Sequence, residues 1–183
     1  MQLSSKVVSV LESLDGELAG KYISLEKMTD NERKQLIADH FLFKGGVKFL
    51  ASSGLERDWP QARGIFHNVD KTFLVWLNEE DQLRIISMQR GFNLRQILNR
   101  LSVASEKIEQ MSKFAFDEHL GYITSCRTNL GTGIRASVHI KLPKLGKKKN
   151  LLISIAENYQ LDIRGKNGEH SKTAQAKLRV KIS

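Results

Sequence analysis

The chain has little of what marks secreted and membrane proteins. A single cysteine, Cys126, stands among 183 residues, so no internal disulfide can form and a reducing compartment is expected. No apolar run approaches the ~20 residues that a membrane-spanning helix needs. The first residues also lack the basic region and apolar core of a secretory signal. These absences predict a cytoplasmic protein that does not insert into a membrane.

No internal repeat or low-complexity linker divides the chain. The length, the hydrophobic content of 40% and the charged content of 27% suit a soluble globular domain with a sizeable core. We therefore expect residues 1–183 to form a single domain.

The net charge of +9 is unevenly placed. Residues 141–183 hold 11 Lys and Arg against 3 Asp and Glu, a balance of +8, which leaves +1 for residues 1–140. This basic region is either a solvated face or an attractor of a polyanion such as a nucleotide or nucleic acid. Nothing in it resembles an RNA-binding or DNA-binding motif, so nucleic acid is the weaker alternative.

Two helices are marked by capping residues at their first turn. Thr29 and Glu32 have capping-box spacing, so a helix is expected from there to about His40. A longer helix is predicted after Asn93, because apolar residues follow at helical spacing as far as Met111.

Short strands rich in β-branched and aromatic residues alternate with polar turns. They are predicted at residues 64–68, 71–77, 83–89, 122–125, 135–142 and 161–164. Short links favour antiparallel neighbours, because a parallel pair needs a long crossover. The tail from Ser171 to Ser183, in which basic and apolar residues alternate over 177–182, is interpreted as a charged sheet edge. With a further helix predicted at residues 151–159, the pattern indicates an α+β fold with an antiparallel sheet.

The segment from residue 126 to residue 139 brings chemically active side chains together. It contains the thiol of Cys126, a loop of Thr, Asn and Gly, then Arg135 and His139. A thiol reacts as the thiolate, and a nearby cation favours that form. A glycine-bearing loop lets backbone N–H groups approach an anion, and the fork of an arginine matches phosphate oxygens.

This segment resembles the signature of the phosphagen kinases (ATP:guanidino phosphotransferases, the arginine and creatine kinases), in which Cys, Ser or Thr, Asn, Leu, Gly and Thr follow in this order. Further motifs similar to the family's lie at residues 39–44, 58–60, 63–68, 71–76, 78–84, 86–89 and 141–145. The resemblance runs from about Leu11 to about His170. One position departs from it, because Arg127 stands where the family normally has proline. The charge of Arg127 favours the thiolate form of Cys126, whereas the loss of the fixed φ of proline loosens the loop.

The resemblance implies the fold of the family's C-terminal catalytic domain, a glutamine-synthetase-like antiparallel sheet flanked by helices. The chain is shorter than the family's pattern at both ends, so a partial catalytic domain is expected. Upstream, the pattern has a small helical domain and a strand with paired phosphate-binding arginines. Downstream, it has a final strand and helices.

The implied reaction is reversible transfer of the γ-phosphoryl group of MgATP to a guanidino substrate. Glu80, Cys126 and Glu169 match the catalytic and substrate-binding residues of the family, and Glu79 and Asp81 are interpreted as turn or structural residues. Glu169 favours L-arginine, because creatine kinases typically have valine in this loop. The alternative is a non-catalytic remnant of the fold that binds nucleotide weakly or serves as an interaction module.

The resemblance also implies a nucleotide site. The implied nucleotide contacts are His67, Arg84, Arg135, Ala136, Ser137, Val138, His139, Arg164, Gly165, Lys166, Asn167, Gly168 and Glu169. Each of these residues also has an alternative interpretation without a site role. Any one arginine can be part of a surface ion pair, either histidine can be a half-buried structural residue, and the cysteine can be a small buried thiol. Mg²⁺ would be held by phosphate oxygens and water, with no metal site on the protein. The expected partners are thus a nucleotide and a guanidino compound, and the oligomeric state is open.

Overall fold

The computed structural model describes residues 2–46, 48–91, 93–139, 142–164 and 177–181. The chain divides into two compact units, residues 1–114 and residues 115–183. The expectation of a single domain stays a prediction.

The first unit is an antiparallel sheet with helices against both of its faces. Its helices are α1 (Gln2–Glu12), α2 (Asp30–Ala38), α3 (Lys48–Ser52) and α4 (Leu94–Met111). Its strands are β1 (Gly20–Ser24), β2 (Gly64–Asn68), β3 (Phe73–Leu77) and β4 (Leu83–Ser87), in the order β1-β2-β3-β4. Every neighbouring pair in this order is antiparallel. The predicted α+β class is confirmed.

Strands β2 and β3 contribute to two cores at once. Phe66 and Phe73 pack on one face with side chains of α1 and α4. Ile65 and Leu74 pack on the opposite face with side chains in and around α2. All four side chains are fully buried. Because successive side chains of a strand point to opposite faces, covering both faces requires the nearly continuous apolar sequence seen here.

Both predicted helix caps form. At α2 the Thr29 hydroxyl accepts a hydrogen bond from the Glu32 N–H at 3.3 Å, and the Glu32 carboxylate accepts from the Thr29 N–H at 3.0 Å. At α4 the Asn93 side chain accepts from the Gln96 N–H at 3.1 Å. Each cap satisfies an N–H group that has no partner inside the helix, which is why these residues start the helices.

The β2–β3 turn is longer than the sequence suggests, so β3 begins at Phe73 rather than at Lys71. The Asn68 side chain accepts a hydrogen bond from the Phe73 N–H at 3.0 Å and donates one to the Thr72 hydroxyl at 2.9 Å. Lys71 has a φ of 53°, which no regular strand allows. The amide of Asn68 therefore holds residues 69–72 as a turn.

Among its described residues, the second unit contains α5 (Lys149–Asn158) and two small sheets. In the first sheet, β5 (Phe116–Asp117) pairs antiparallel with β6 (Gly121–Tyr122). The second sheet contains β7 (Arg135–His139), β8 (Leu161–Arg164) and β9 (Lys177–Lys181). Its order is β7-β9-β8, with both pairings antiparallel.

Two predictions for this unit are wrong. Residues 123–125 are not a strand, because the Thr124 hydroxyl donates to the Cys126 carbonyl at 2.8 Å and the chain bends there. The basic strand β9 is not a sheet edge, since β7 and β8 pair with it on either side. The predicted strand at residues 135–142 is described as far as His139, and residues 140–141 lie outside the described residues.

No helix within the described part of the chain is both long and apolar enough to cross a membrane.

Candidate functional site

The β3–β4 hairpin brings a cation, two carboxylates and an aromatic ring together. Trp76 and Arg84 are direct partners in the antiparallel register. The Arg84 guanidinium therefore lies over the Trp76 ring, with Cζ 5.3 Å from the ring centroid, within cation–π range. Arg84 Nη2 donates to Glu80 Oε2 at 3.0 Å, and Arg84 Nη1 lies 3.5 Å from Glu79 Oε2.

This cluster is largely withdrawn from water. The exposed fraction is 14% for the Glu79 side chain, 17% for Glu80 and 37% for Arg84. Oε2 of Glu79 is buried and receives no hydrogen bond from the described residues. Two carboxylates face one guanidinium, and partial burial weakens screening by solvent, so the cluster favours a further cation. Glu79, interpreted from the sequence as a turn residue, is thus part of the same cluster as Glu80.

Asn78 holds the loop that carries the two carboxylates. Its φ of 54° is left-handed, a conformation that asparagine tolerates better than most residues. Its side-chain amide donates to the Ala62 carbonyl at 2.7 Å and to the Ser4 hydroxyl at 3.1 Å. Its N–H donates to the Gln82 carbonyl at 2.9 Å and closes the hairpin. The loop is therefore tied to its surroundings at its first residue.

His67 lies in β2 and is buried. Its Nδ1 is 2.8 Å from the carbonyl oxygen of Asn68. A carbonyl can only accept, so Nδ1 carries the hydrogen and donates it to this oxygen. This burial suits the structural alternative, and a nucleotide contact by His67 stays a prediction.

In the second unit Cys126 and Arg135 meet at one hydroxyl. Cys126 precedes a 3₁₀ turn at Arg127–Asn129, and its Sγ lies 3.1 Å from Thr128 Oγ1. Arg135, the first residue of β7, donates from Nη2 to the same oxygen at 2.6 Å. The predicted thiol and the predicted phosphate-binding cation are therefore linked through Thr128.

The loop between them is fixed by a close backbone approach. The Gly131 carbonyl accepts a hydrogen bond from the Tyr122 N–H at 2.8 Å. A Cβ at Gly121 would collide with the backbone of Gly131, so only glycine allows this approach. Gly131 itself has a φ of 101°. The glycines thus set the course of the loop that ends at Arg135.

The other predicted site residues lie on β7 and β8 or beyond them. Ala136 and Val138 are half-buried on β7, Ser137 is exposed, and His139 ends the strand. Arg164 is the last residue of β8. Gly165, Lys166, Asn167, Gly168 and Glu169 lie outside the described residues. In the described ranges, no three His, Cys, Asp or Glu side chains come together as a metal site would require.

Sequence reasoning did not assign a site role to Trp76, Asn78, Glu79 or Thr128. The period of two along β3 and β4 could have indicated that Trp76 and Arg84 share a face. Nothing in the sequence indicates that Thr128 contacts both Cys126 and Arg135, because that contact depends on the path of the loop.

Comparison with known families identifies the class of domain that this fold and these clusters define. Residues 2–183 match the family described as ATP:guanido phosphotransferase, C-terminal catalytic domain. The chain belongs to this family, and the resemblance to phosphagen kinases seen in the sequence is confirmed.

Individual relatives agree with the family. The chain is 54% identical over 170 residues to arginine kinase 1 of Drosophila melanogaster, covering 93% of this chain and 48% of that protein. Its structure is similar to the duplicated taurocyamine kinase of Schistosoma mansoni with bound transition-state-analogue components. That match has a TM-score of 0.90 and 46% identity, and covers 97% of this chain and 25% of the other.

A lombricine kinase structure is also similar, with a TM-score of 0.86 and 39% identity over 97% of this chain and 50% of that chain. The chain spans about half the length of the curated arginine kinase that it matches, 48% of it.

Proposed function

We propose that the chain provides most of a catalytic domain that transfers the γ-phosphoryl group of MgATP reversibly to a guanidino compound, namely L-arginine. One observation carries this proposal. In each unit a cation suited to phosphate adjoins a group suited to a guanidinium. Arg84 contacts Glu80 directly, and Arg135 reaches Cys126 through one hydroxyl.

Phosphoryl transfer requires alignment and neutralisation of charge more than covalent help from the protein. Arg84, Arg135 and Arg164 are the proposed phosphate ligands, because a guanidinium is always charged and binds phosphate with two N–H groups. Mg²⁺, held by the phosphates and water, would neutralise further charge when nucleotide is bound. None of the three arginines has to move a proton in this scheme.

The acceptor has to be oriented, desolvated and relieved of a proton as its nitrogen attacks phosphorus. Glu80 is the proposed carboxylate for orientation by paired hydrogen bonds, and we propose that it also assists by accepting that proton. Cys126 is proposed to face the guanidinium as a thiolate. Glu169 is proposed as the second carboxylate.

The proposed substrate is L-arginine rather than creatine. The curated relative is called an arginine kinase, and the similar structures are of taurocyamine and lombricine kinases. An unsubstituted guanidinium can pair with two carboxylates, whereas the N-methyl group of creatine would oppose one of them.

Nucleotide binding tests this proposal. Arg135→Ala should weaken MgADP binding by about 1.5–3 kcal/mol, the usual loss for a charge-assisted hydrogen bond. Isothermal titration calorimetry on the 183-residue chain measures this loss. Arg95→Ala, which removes an exposed arginine of α4, is the matched control and should leave the affinity unchanged. Equal affinity of wild type and Arg135→Ala would contradict the assigned nucleotide site.

Turnover is measured separately, by coupled ADP formation with arginine, creatine and taurocyamine. We expect the 183 residues alone to show little turnover even when they bind nucleotide. A misplacement of the reacting groups by ~1 Å can lower the rate about 10²-fold. Robust arginine-dependent ADP formation would show that the residues present suffice. Faster turnover with creatine than with arginine would contradict the proposed substrate.

A further inference from the structure

Arg84 carries the same functional group as the proposed substrate. Its guanidinium lies against Glu79 and Glu80 and over the ring of Trp76. A planar cation between two carboxylates and on an aromatic face is the arrangement by which proteins recognise a free guanidinium. In this structure, the protein's own side chain occupies that place.

We propose that Arg84 is an internal occupant of the guanidinium site, which blocks this site in the free chain and releases it when a phosphate group draws Arg84 away. The proposal rests on the proposed function for the identity of the two ligands, a guanidino compound and a nucleotide phosphate.

The carboxylates favour replacement of one cation by another. Both are mostly buried, with 14% of Glu79 and 17% of Glu80 exposed, so losing the guanidinium of Arg84 leaves two poorly solvated negative charges. Leaving such charges unpaired is strongly unfavourable. Arg84 also satisfies the pair incompletely, because Glu79 Oε2 is buried and accepts no hydrogen bond from the described residues. A free guanidinium, unconstrained by a strand, can donate to both carboxylates.

The geometry lets Arg84 leave while the carboxylates stay. Asn78 ties the loop of Glu79 and Glu80 to Ala62 and Ser4. The Arg84 side chain is 37% exposed and lies on β4, which ends the described sheet order of the first unit. Rotation of one long side chain is therefore enough to open the site.

Two consequences follow for binding. The apparent affinity for a guanidinium falls in proportion to the fraction of molecules in which Arg84 is withdrawn. A phosphate that binds Arg84 raises that fraction, and by linkage the guanidino compound raises the affinity for phosphate by the same factor.

The test is a titration of the 183-residue chain with methylguanidinium, followed by NMR of the indole N–H groups. The chain has two tryptophans, so each spectrum has two such signals. The Trp76 signal reports on the site. Trp59, which has the guanidinium of Arg63 over its ring at 5.5 Å, is an internal control for a cation–π contact elsewhere.

Removing the occupant should tighten binding. We expect Arg84→Met to bind methylguanidinium about fivefold or more tightly than wild type. A fivefold difference corresponds to a wild type in which Arg84 fills the site in about four of five free molecules. Arg84→Lys keeps a charge but loses the fork of the guanidinium, so its affinity for methylguanidinium should lie between those of wild type and Arg84→Met. This variant also keeps the test valid if Arg84→Met does not fold. Arg33→Met, which breaks the exposed Arg33–Asp30 pair, should match wild type. Equal or weaker binding by both Arg84 variants would overturn the proposal.

Magnesium pyrophosphate tests the release. It should tighten methylguanidinium binding to wild type by a factor similar to that of Arg84→Met, and it should not tighten binding to Arg84→Met. No tightening in wild type would overturn release by phosphate. The affinities of wild type and the Arg84 variants for methylguanidinium are measured without nucleotide. Failure of MgADP to bind would therefore count against the proposed function, while these affinities would still test whether Arg84 blocks the guanidinium site.

Discussion

Arg135 donates a hydrogen bond from Nη2 to the hydroxyl oxygen of Thr128 at 2.6 Å. Because that oxygen accepts from Arg135, its own hydrogen is available to Sγ of Cys126, which lies 3.1 Å away. A single threonine therefore connects the predicted phosphate-binding cation to the predicted thiolate. Anything that moves Arg135 can change the surroundings of the sulfur.

Thr128→Val should slow alkylation of Cys126 by iodoacetamide about three- to tenfold. The change keeps the shape of the side chain but removes the hydroxyl that can donate to the sulfur, a loss of about 0.5–1.5 kcal/mol. Mass spectrometry follows the reaction, and Cys126 is the only cysteine in the sequence. Thr128→Ser keeps a hydroxyl and is the matched control. Equal rates for Val and Ser at this position would show that the hydroxyl does not assist the thiolate.

Asn78→Ala should lower the free energy of unfolding by about 2–5 kcal/mol. The variant loses two side-chain hydrogen bonds, at about 0.5–1.5 kcal/mol each, and places alanine at a left-handed φ, at about 1–2 kcal/mol. Asn78→Gly loses the same hydrogen bonds but tolerates this φ, so it should be about 1–2 kcal/mol more stable than Asn78→Ala. Urea unfolding measures both. If glycine gave no advantage over alanine, the left-handed backbone would not be the reason for asparagine here.

Arg127→Pro should raise the free energy of unfolding by about 0.4–1 kcal/mol, because proline restricts the unfolded chain. Position 127 begins a 3₁₀ turn, where an N–H has no partner in the turn, and Cys126 before it is extended at φ −99° and ψ 118°. Asn129→Pro is the contrasting control, since the Asn129 N–H donates to the Cys126 carbonyl at 2.8 Å. That variant should be less stable than wild type. Destabilisation by both prolines would show that this turn cannot accommodate the ring at 127.

The cap of α2 should weaken in acid. The hydroxyl of Thr29, and then its N–H, lower the pKa of Glu32 below its ordinary value of 4.5. A lowered pKa means that the cap stabilises the fold above pH 4.5 and loses this contribution as the pH falls through the pKa of the folded state. The difference in unfolding free energy between wild type and Glu32→Gln should therefore shrink below pH 4.5. A difference that stayed constant from pH 6 to pH 3 would contradict this role.

The amino-acid sequence predicts those parts of the fold whose causes lie within a few residues. Thr29 and Asn93 start helices because each side chain bonds an N–H three residues later. The strand at Gly64–Asn68 is indicated by its β-branched and aromatic residues and by the polar turn that follows. The turn after this strand was predicted to end at residue 70, but it extends to residue 72. The hydrogen bonds that hold it involve the side chain of Asn68, which no turn motif in the sequence indicates.

Parts that depend on distant partners were missed or misplaced. Strand β1 was not predicted, since Gly-Lys-Tyr-Ile-Ser becomes a strand by pairing with β2, 40 to 48 positions away in the register Gly20↔Asn68 to Ser24↔Gly64. Strand β9 was expected at an edge. Its alternation of basic and apolar residues is compatible with an edge or a central strand, and pairing with β7 and β8 decides between them.

The candidate site shows the same division. The sequence by itself determined the family, the chemical types of Glu80, Arg84, Cys126 and Arg135, and their order along the chain, because these are properties of the residues and of their spacing. Only the tertiary structure decided which groups touch. The hairpin register brings Arg84 over Trp76 and between two carboxylates, and the glycine-held loop brings Thr128 to both Cys126 and Arg135. Contacts of a few ångströms depend on strand register, turn geometry and burial together. Register and burial are set by pairing and packing with distant segments, so a single segment of the sequence does not determine these contacts.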